Sequence, residues 1–154
     1  MLKKVTLTLT TARTQLDGSL YEGIALAHRD GATTEKNTVT LQGRYYDNGT
    51  RVSISYKESA ESGLEGTESE LSFSKEDPRE ITLRRTGAVK SMLSFRAGER
   101  FCGVYQTPIM PFDVCVQTAL VENNLQGVGT LRLVYTVEIK GAEPERTELL
   151  LTLK

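Results

Sequence analysis

A chain of 154 residues has the length of one domain and can build a full core without disulfides or metals to staple it. Its 19 basic and 20 acidic residues leave a net charge of -1, so the basic excess of a nucleic-acid binder is missing. The apolar share is 38%, below the globular average of about 45–50%, which suits a barrel with a wet face or a polar interior.

Val5, Leu7 and Leu9 alternate with Thr6, Thr8 and Thr10. That is period two with β-branched residues, a half-buried strand. The alternation also breaks the continuous apolar run that a signal peptide needs, and no later run approaches the ~20 apolar residues of a membrane span. Asp17-Gly18 and Asp30-Gly31 mark turns. Leu20–Arg29, between them, fits a short edge strand or one helical turn.

Val39, Leu41, Gly43 and Tyr45 share a face, with Thr38, Thr40, Gln42 and Arg44 on the other. Asp47-Asn48-Gly49-Thr50 predicts a tight hairpin, because Asn-Gly adopts positive φ readily. Val52, Ile54 and Tyr56 follow on the return strand. Past the Gly63–Gly66 turn come Thr67, Ser69, Leu71 and Phe73, then a turn at Glu76-Asp77-Pro78. Ile81 and Leu83 lead to Arg85, and Gly87 reverses the chain. Val89 to Phe95, Phe101 to Tyr105, Phe112 to Leu120 and Leu131 to Ile139 repeat the alternation. Leu149, Leu151 and Leu153 form the last strand.

Such short strands between frequent turns predict an antiparallel sandwich or barrel. About nine or ten strands exceed what one open twisted sheet usually holds without curling or splitting, and closure removes exposed edges. The expectation is an all-β, antiparallel closed barrel of about 8–10 strands, with residues 1–154 as a single domain.

Six ordered segments carry a family resemblance. They are Gly43-Arg44-Tyr45-Tyr46, Val52–Glu58, Gly63–Thr67, Ile81–Val89, Tyr105-Gln106-Thr107-Pro108 and Leu131–Val137. In order and spacing the chain resembles the YwiB-like bacterial family, a domain of unknown function. The resemblance implies a lipocalin-like (calycin-type) barrel in a bacterial cytoplasm and implies no activity. One turn departs from it: Ile109-Met110-Pro111 stands where the family has an aromatic residue and a glycine. Residues 20–36 also match poorly.

No motif points to catalysis, and an enzyme is not expected. Glu58, Glu61 and Glu65 crowd one turn. Neighbouring carboxylates raise one another's pKa, as general acid catalysis requires, but glycosidase pairs come from separate elements; solvated, strand-capping glutamates are the commoner case. Oxygen-ligand metal sites need more convergent ligands, so neither metal nor cofactor is expected. His28, the only histidine, sits in a turn motif without a Gly-x-Ser-x-Gly elbow anywhere in the chain, and no phosphate-binding glycine loop occurs. Cys102 and Cys115 come opposite each other if Tyr105 pairs with Phe112. They can then approach disulfide distance, although two packed thiols are the expectation for a reducing cytoplasm.

The inward phase gives the candidate ligand-binding residues: Tyr56, Glu58, Arg85, Tyr105 and Tyr135, with Glu65 beside them. Glu58 follows Tyr56 by two, and Arg85 follows Leu83 by two, so each charge falls on an apolar face. Inward charges are usually paired, which predicts a Glu58–Arg85 or Glu65–Arg85 ion pair at one barrel mouth. That pair either plugs the barrel or anchors an anionic ligand, with Arg85 as a bidentate donor. The functional expectation is a cytoplasmic barrel that binds a small molecule in its lumen, with neither nucleic acid nor membrane as partner. The alternative is a structural or protein-interaction module with a filled barrel.

Overall fold

The computed structural model describes residues 2–15, 34–58, 64–139 and 144–154. The expectations for Leu20–Arg29 and Glu61 lie outside them. The described residues hold ten strands and no helix. They are β1 (Leu2–Gln15), β2 (Thr34–Asp47), β3 (Arg51–Lys57), β4 (Thr67–Ser74), β5 (Asp77–Gly87), β6 (Ser91–Phe95), β7 (Arg100–Gln106), β8 (Pro111–Asn124), β9 (Thr130–Ile139) and β10 (Glu145–Leu153).

All pairings are antiparallel, in the order β6-β5-β4-β3-β2-β1-β10-β9-β8-β7. Every strand lies beside a neighbour in sequence, and the first and last strands pair with each other. The discontinuity falls mid-chain, between β6 and β7. There Lys90 and Gln106 exchange two backbone hydrogen bonds, of 2.9 and 2.8 Å, and nearly close the sheet into a barrel.

The period-two alternation sets the interior. Val52, Ile54 and Tyr56 of β3, Leu71 and Phe73 of β4, Ile81 and Leu83 of β5, and Leu131 and Leu133 of β9 all enter the core. Each fully buried aliphatic side chain contributes about 1.5–3 kcal/mol. Outward positions carry ion pairs such as Arg100–Glu138 at 2.7 Å.

Gly43 is buried between β1 and β3. A Cβ there would meet Leu7 Cδ1 at 2.7 Å and the Ser55 carbonyl oxygen at 2.8 Å, so this approach of neighbours admits only glycine. The Asn48-Gly49 turn takes its positive φ, 95°, at Gly49 alone. Asn48 Oδ1 accepts hydrogen bonds from the Thr50 and Arg51 amides at 2.9 and 2.8 Å, the local bonding that suits Asn to turns.

Several boundaries differ from the alternation. β1 and β2 extend to Gln15 and from Thr34, because thirteen paired positions join them even where their residues are polar. The turn before β5 is Lys75-Glu76, and Asp77-Pro78 already belongs to the strand. A register shift between Thr118 and Leu120 turns the face of β8. Val121, opposite Leu133, then packs on the core in the phase that Leu120 would have held. An extra residue in one strand has this effect on everything beyond it.

The thiol expectation is overturned. Tyr105 does pair with Phe112, and Cys102 with Cys115, but the two sulfurs are joined in a disulfide with Cα atoms 4.1 Å apart. The expectation of thiols rested on compartment. The register brings the cysteines together whatever the compartment is.

Candidate functional site

The barrel is packed at one end and hollow at the other. Leu7, Val52, Ile54, Ile81, Phe95 and Val116 fill the packed end and are essentially inaccessible. The hollow end lies where β1, β3, β5 and β9 finish and β2, β4 and β10 begin. It encloses a cavity of about 490 Å³.

Register explains which polar groups meet there. Tyr56 pairs with Ser69, Ser69 with Arg85, and Arg85 with Ser91. One inward row therefore crosses β3, β4, β5 and β6. Tyr56, Glu58, Arg85 and Tyr135 all line the cavity. Glu65 is exposed in the turn before β4. Tyr105 is half-buried against the core on β7 and does not line the cavity.

The expected ion pair is not formed. Among the described residues, no ion pair or hydrogen bond joins Arg85 to Glu58 or Glu65. Parity placed both charges on the inward side, but β4 stands between their strands. Glu58 also lies two residues beyond the row that Arg85 shares with Tyr56 and Ser69, so the two charges are offset along the strands as well as across them. Arg85 has no hydrogen bond or ion pair to any described residue, and its Nε is buried without an acceptor. The Ser91 hydroxyl, one strand over, is likewise buried without a partner.

Burial, with the Glu58 and Arg85 charges, sets the electrostatics of this end. Burial pushes the Tyr56 hydroxyl above its ordinary value; the Glu58 charge adds to that shift and Arg85 opposes it. Burial also raises Tyr135, with Arg85 and then Arg13 opposing. Both phenols are thus neutral O–H groups at ordinary pH, and both feel the Arg85 charge. The Tyr135 ring rests on Phe95, with centroids 4.5 Å apart, and this contact joins the cavity to the packed end.

Five lining residues are charged, namely Arg13, Lys36 and Arg85 against Glu35 and Glu58. Arg13 lies 3.9 Å from Glu145. The apolar lining comes from Leu9, Val39, Leu41, Leu71, Leu83 and Leu149, with Leu64 at the mouth. Sequence reasoning missed Arg13, Glu35 and Lys36 because β1 and β2 were read as shorter. The lining leucines were visible only as inward-phase core. Among the described residues, no group of three histidine, cysteine or acidic side chains could hold a metal ion.

The arrangement presents cationic and hydroxyl donors over an apolar floor, the composition of a small-molecule site. No curated protein matches the chain in sequence. The crystal structure of the ywiB protein from Bacillus subtilis is similar in fold, with a TM-score of 0.65 and 17% identity, over 98% of this chain and 94% of that one. Residues 24–151 match the model of a family described as a domain of unknown function. With most of the barrel, from β2 into β10, inside that match, the chain belongs to the DUF1934 family.

Proposed function

We propose that this barrel binds a small organic anion in its hollow end, with Arg85 as the anchor. The observation that carries this reading is Arg85 itself, a guanidinium on the cavity wall with no hydrogen bond or ion pair to any described residue. Its Nε is buried, so an anion in the cavity would be met by the terminal nitrogens, as a charge-assisted pair. The cavity volume, about 490 Å³, falls within the ~300–1,000 Å³ of ordinary ligand sites. Tyr56 and Tyr135 line the same space.

The test is native mass spectrometry of freshly purified protein, beside the Arg85→Gln variant. A small mass retained by the wild type and missing from a folded Arg85→Gln protein supports the reading. A mass retained equally by both would refute the anchor. A second reading, the protein-interaction module, draws on Met92, Val104, Ile109 and Met110, which are exposed on β6, β7 and the turn after β7. It is favoured if the wild type carries no small mass and Val104→Ser breaks an oligomer seen by light scattering.

A further inference from the structure

We infer that the ligand is an amphiphile, a single acidic group on an aliphatic body, bound with its tail inward and its acid at the rim. This rests on the cavity being a binding site and adds the class and direction of what binds.

The argument is a polarity gradient along the barrel axis. The mouth is set by the ends of β1, β3 and β5 and the starts of β2, β4 and β10. Charged lining residues sit within a position or two of those ends. Arg13 precedes Gln15 at the end of β1, Glu35 follows Thr34 at the start of β2, and Arg85 precedes Gly87 at the end of β5. Going inward, every strand turns apolar. Leu83 lies two residues deeper than Arg85, and Leu71 two deeper than Ser69, a step of about 7 Å. On β1, Thr11 and then Leu9 follow Arg13; on β2, Asn37, Val39 and Leu41 follow Glu35. β10 adds Leu149. Along the strands the order from rim to floor is thus charge, neutral polar, aliphatic, while Leu64, in the turn before β4, adds one apolar side chain at the mouth.

A small hydrophilic anion would satisfy Arg85 and leave the leucine-lined depth unfilled. A neutral hydrocarbon would fill the depth and leave the guanidinium without an acceptor. Only a molecule with both parts meets both demands. Insertion acid-first would take the acid past Arg85 and bury it among Leu9, Leu41, Leu71 and Leu83, where an unpaired charge is strongly disfavoured. Of the other lining charges, Arg13 faces Glu145, Glu35 and Lys36 are exposed neighbours at the mouth, and Glu58 makes no ion pair or hydrogen bond with Arg85.

The test uses full-length protein and displacement of the fluorescent anion anilinonaphthalene sulfonate by four probes: decanoate, decanol, decylamine and acetate. Decanoate is expected to displace the dye. Decanol, which lacks the acid, is expected to bind about tenfold to a hundredfold more weakly, the worth of a hydrogen bond to a charged group. Acetate and decylamine should be weaker still. In Arg85→Gln the preference of decanoate over decanol should vanish, and in Arg85→Lys most of it should remain. Decanol equal to decanoate on the wild type would overturn the acid-at-the-rim inference and leave lumenal binding standing. Acetate equal to decanoate would overturn the aliphatic body and leave a small-anion site. Failure of every probe to displace the dye, with no small mass retained on purification, would bring down the inference and the proposed function together. The wild-type comparison decides the matter even if Arg85→Gln does not fold.

Discussion

Arg85→Met should make the ligand-free protein more stable while removing the proposed anion anchor. Methionine keeps an unbranched stem of similar reach and deletes the guanidinium. Arg85 Nε is buried with no acceptor, and such an orphan donor costs about 1–3 kcal/mol. The side chain as a whole is only half-buried, so its terminal nitrogens still reach water and the lower end applies, a gain of about 1 kcal/mol. For a chain of this length that corresponds to a rise in Tm of roughly 2–4 °C. Equilibrium urea unfolding of ligand-free protein measures it, with decanoate displacement on the same samples. A structural arginine would behave differently, with stability and binding falling together. A loss of more than about 1 kcal/mol on Arg85→Met, in the range of an ordinary destabilising substitution, would refute the reasoning, because Arg85 would then be holding the barrel rather than awaiting an acceptor.

Three further outcomes are expected. Gly49→Val should cost about 1–2 kcal/mol, read as a lower Tm, because φ is 95° there and open space surrounds the site, so backbone strain acts alone; an unchanged Tm would contradict it. Raising the pH should destabilise the fold through Tyr56 and Tyr135. Their folded values lie above the ordinary one, so the stability of the buried neutral phenols is complete below about pH 10 and is lost as pH rises beyond it. Tyr56→Phe with Tyr135→Phe should flatten that alkaline loss, and an unchanged slope of Tm against pH would contradict the assignment. Reduction, or Cys102→Ser with Cys115→Ser, should cost up to about 3 kcal/mol, given a sequence separation of 13 and chain-entropy arithmetic for loops of this size. Denaturation midpoints with and without reductant measure it, and identical midpoints would show that the bond constrains nothing in the unfolded chain.

The alternation of side chains made the fold legible. In β3, Val52, Ile54 and Tyr56 were readable as one face, and they are one face. The Asn48-Gly49 turn carried its own chemistry. The Cys102–Cys115 register followed from counting back from the Thr107–Pro111 turn. What failed was whatever depends on more than one strand. Thr14 and Asn37 carry no apolar pattern, so the polar ends of β1 and β2 were invisible, although each is paired with the other strand. The extra residue between Thr118 and Leu120 has no signature in the local sequence and moved the inward phase onto Val121. The seam between β6 and β7 was equally hidden, because both strands alternate as cleanly as paired ones do.

The Glu58–Arg85 pair shows where parity stops and topology begins. Parity tells which side of a sheet a residue faces and nothing about what stands beside it. Tyr56 and Arg85 share a row, yet Ser69 of β4 separates them. An inward arginine was legible; that it would lack a partner was not, because the spacing that isolates it is the width of an intervening strand. On the proposed reading, the same gap turns a register plug into an anion site. Had β3 and β5 been neighbours, Glu58 would have neutralised Arg85 and the rim would offer nothing to an anion. With β4 between them, the guanidinium faces the cavity with Nε unsatisfied, above leucines that face the same way for the same reason of phase. One rule, alternate residues inward, thus produces both the apolar floor and the cation at its edge, and the order of strands keeps that cation available.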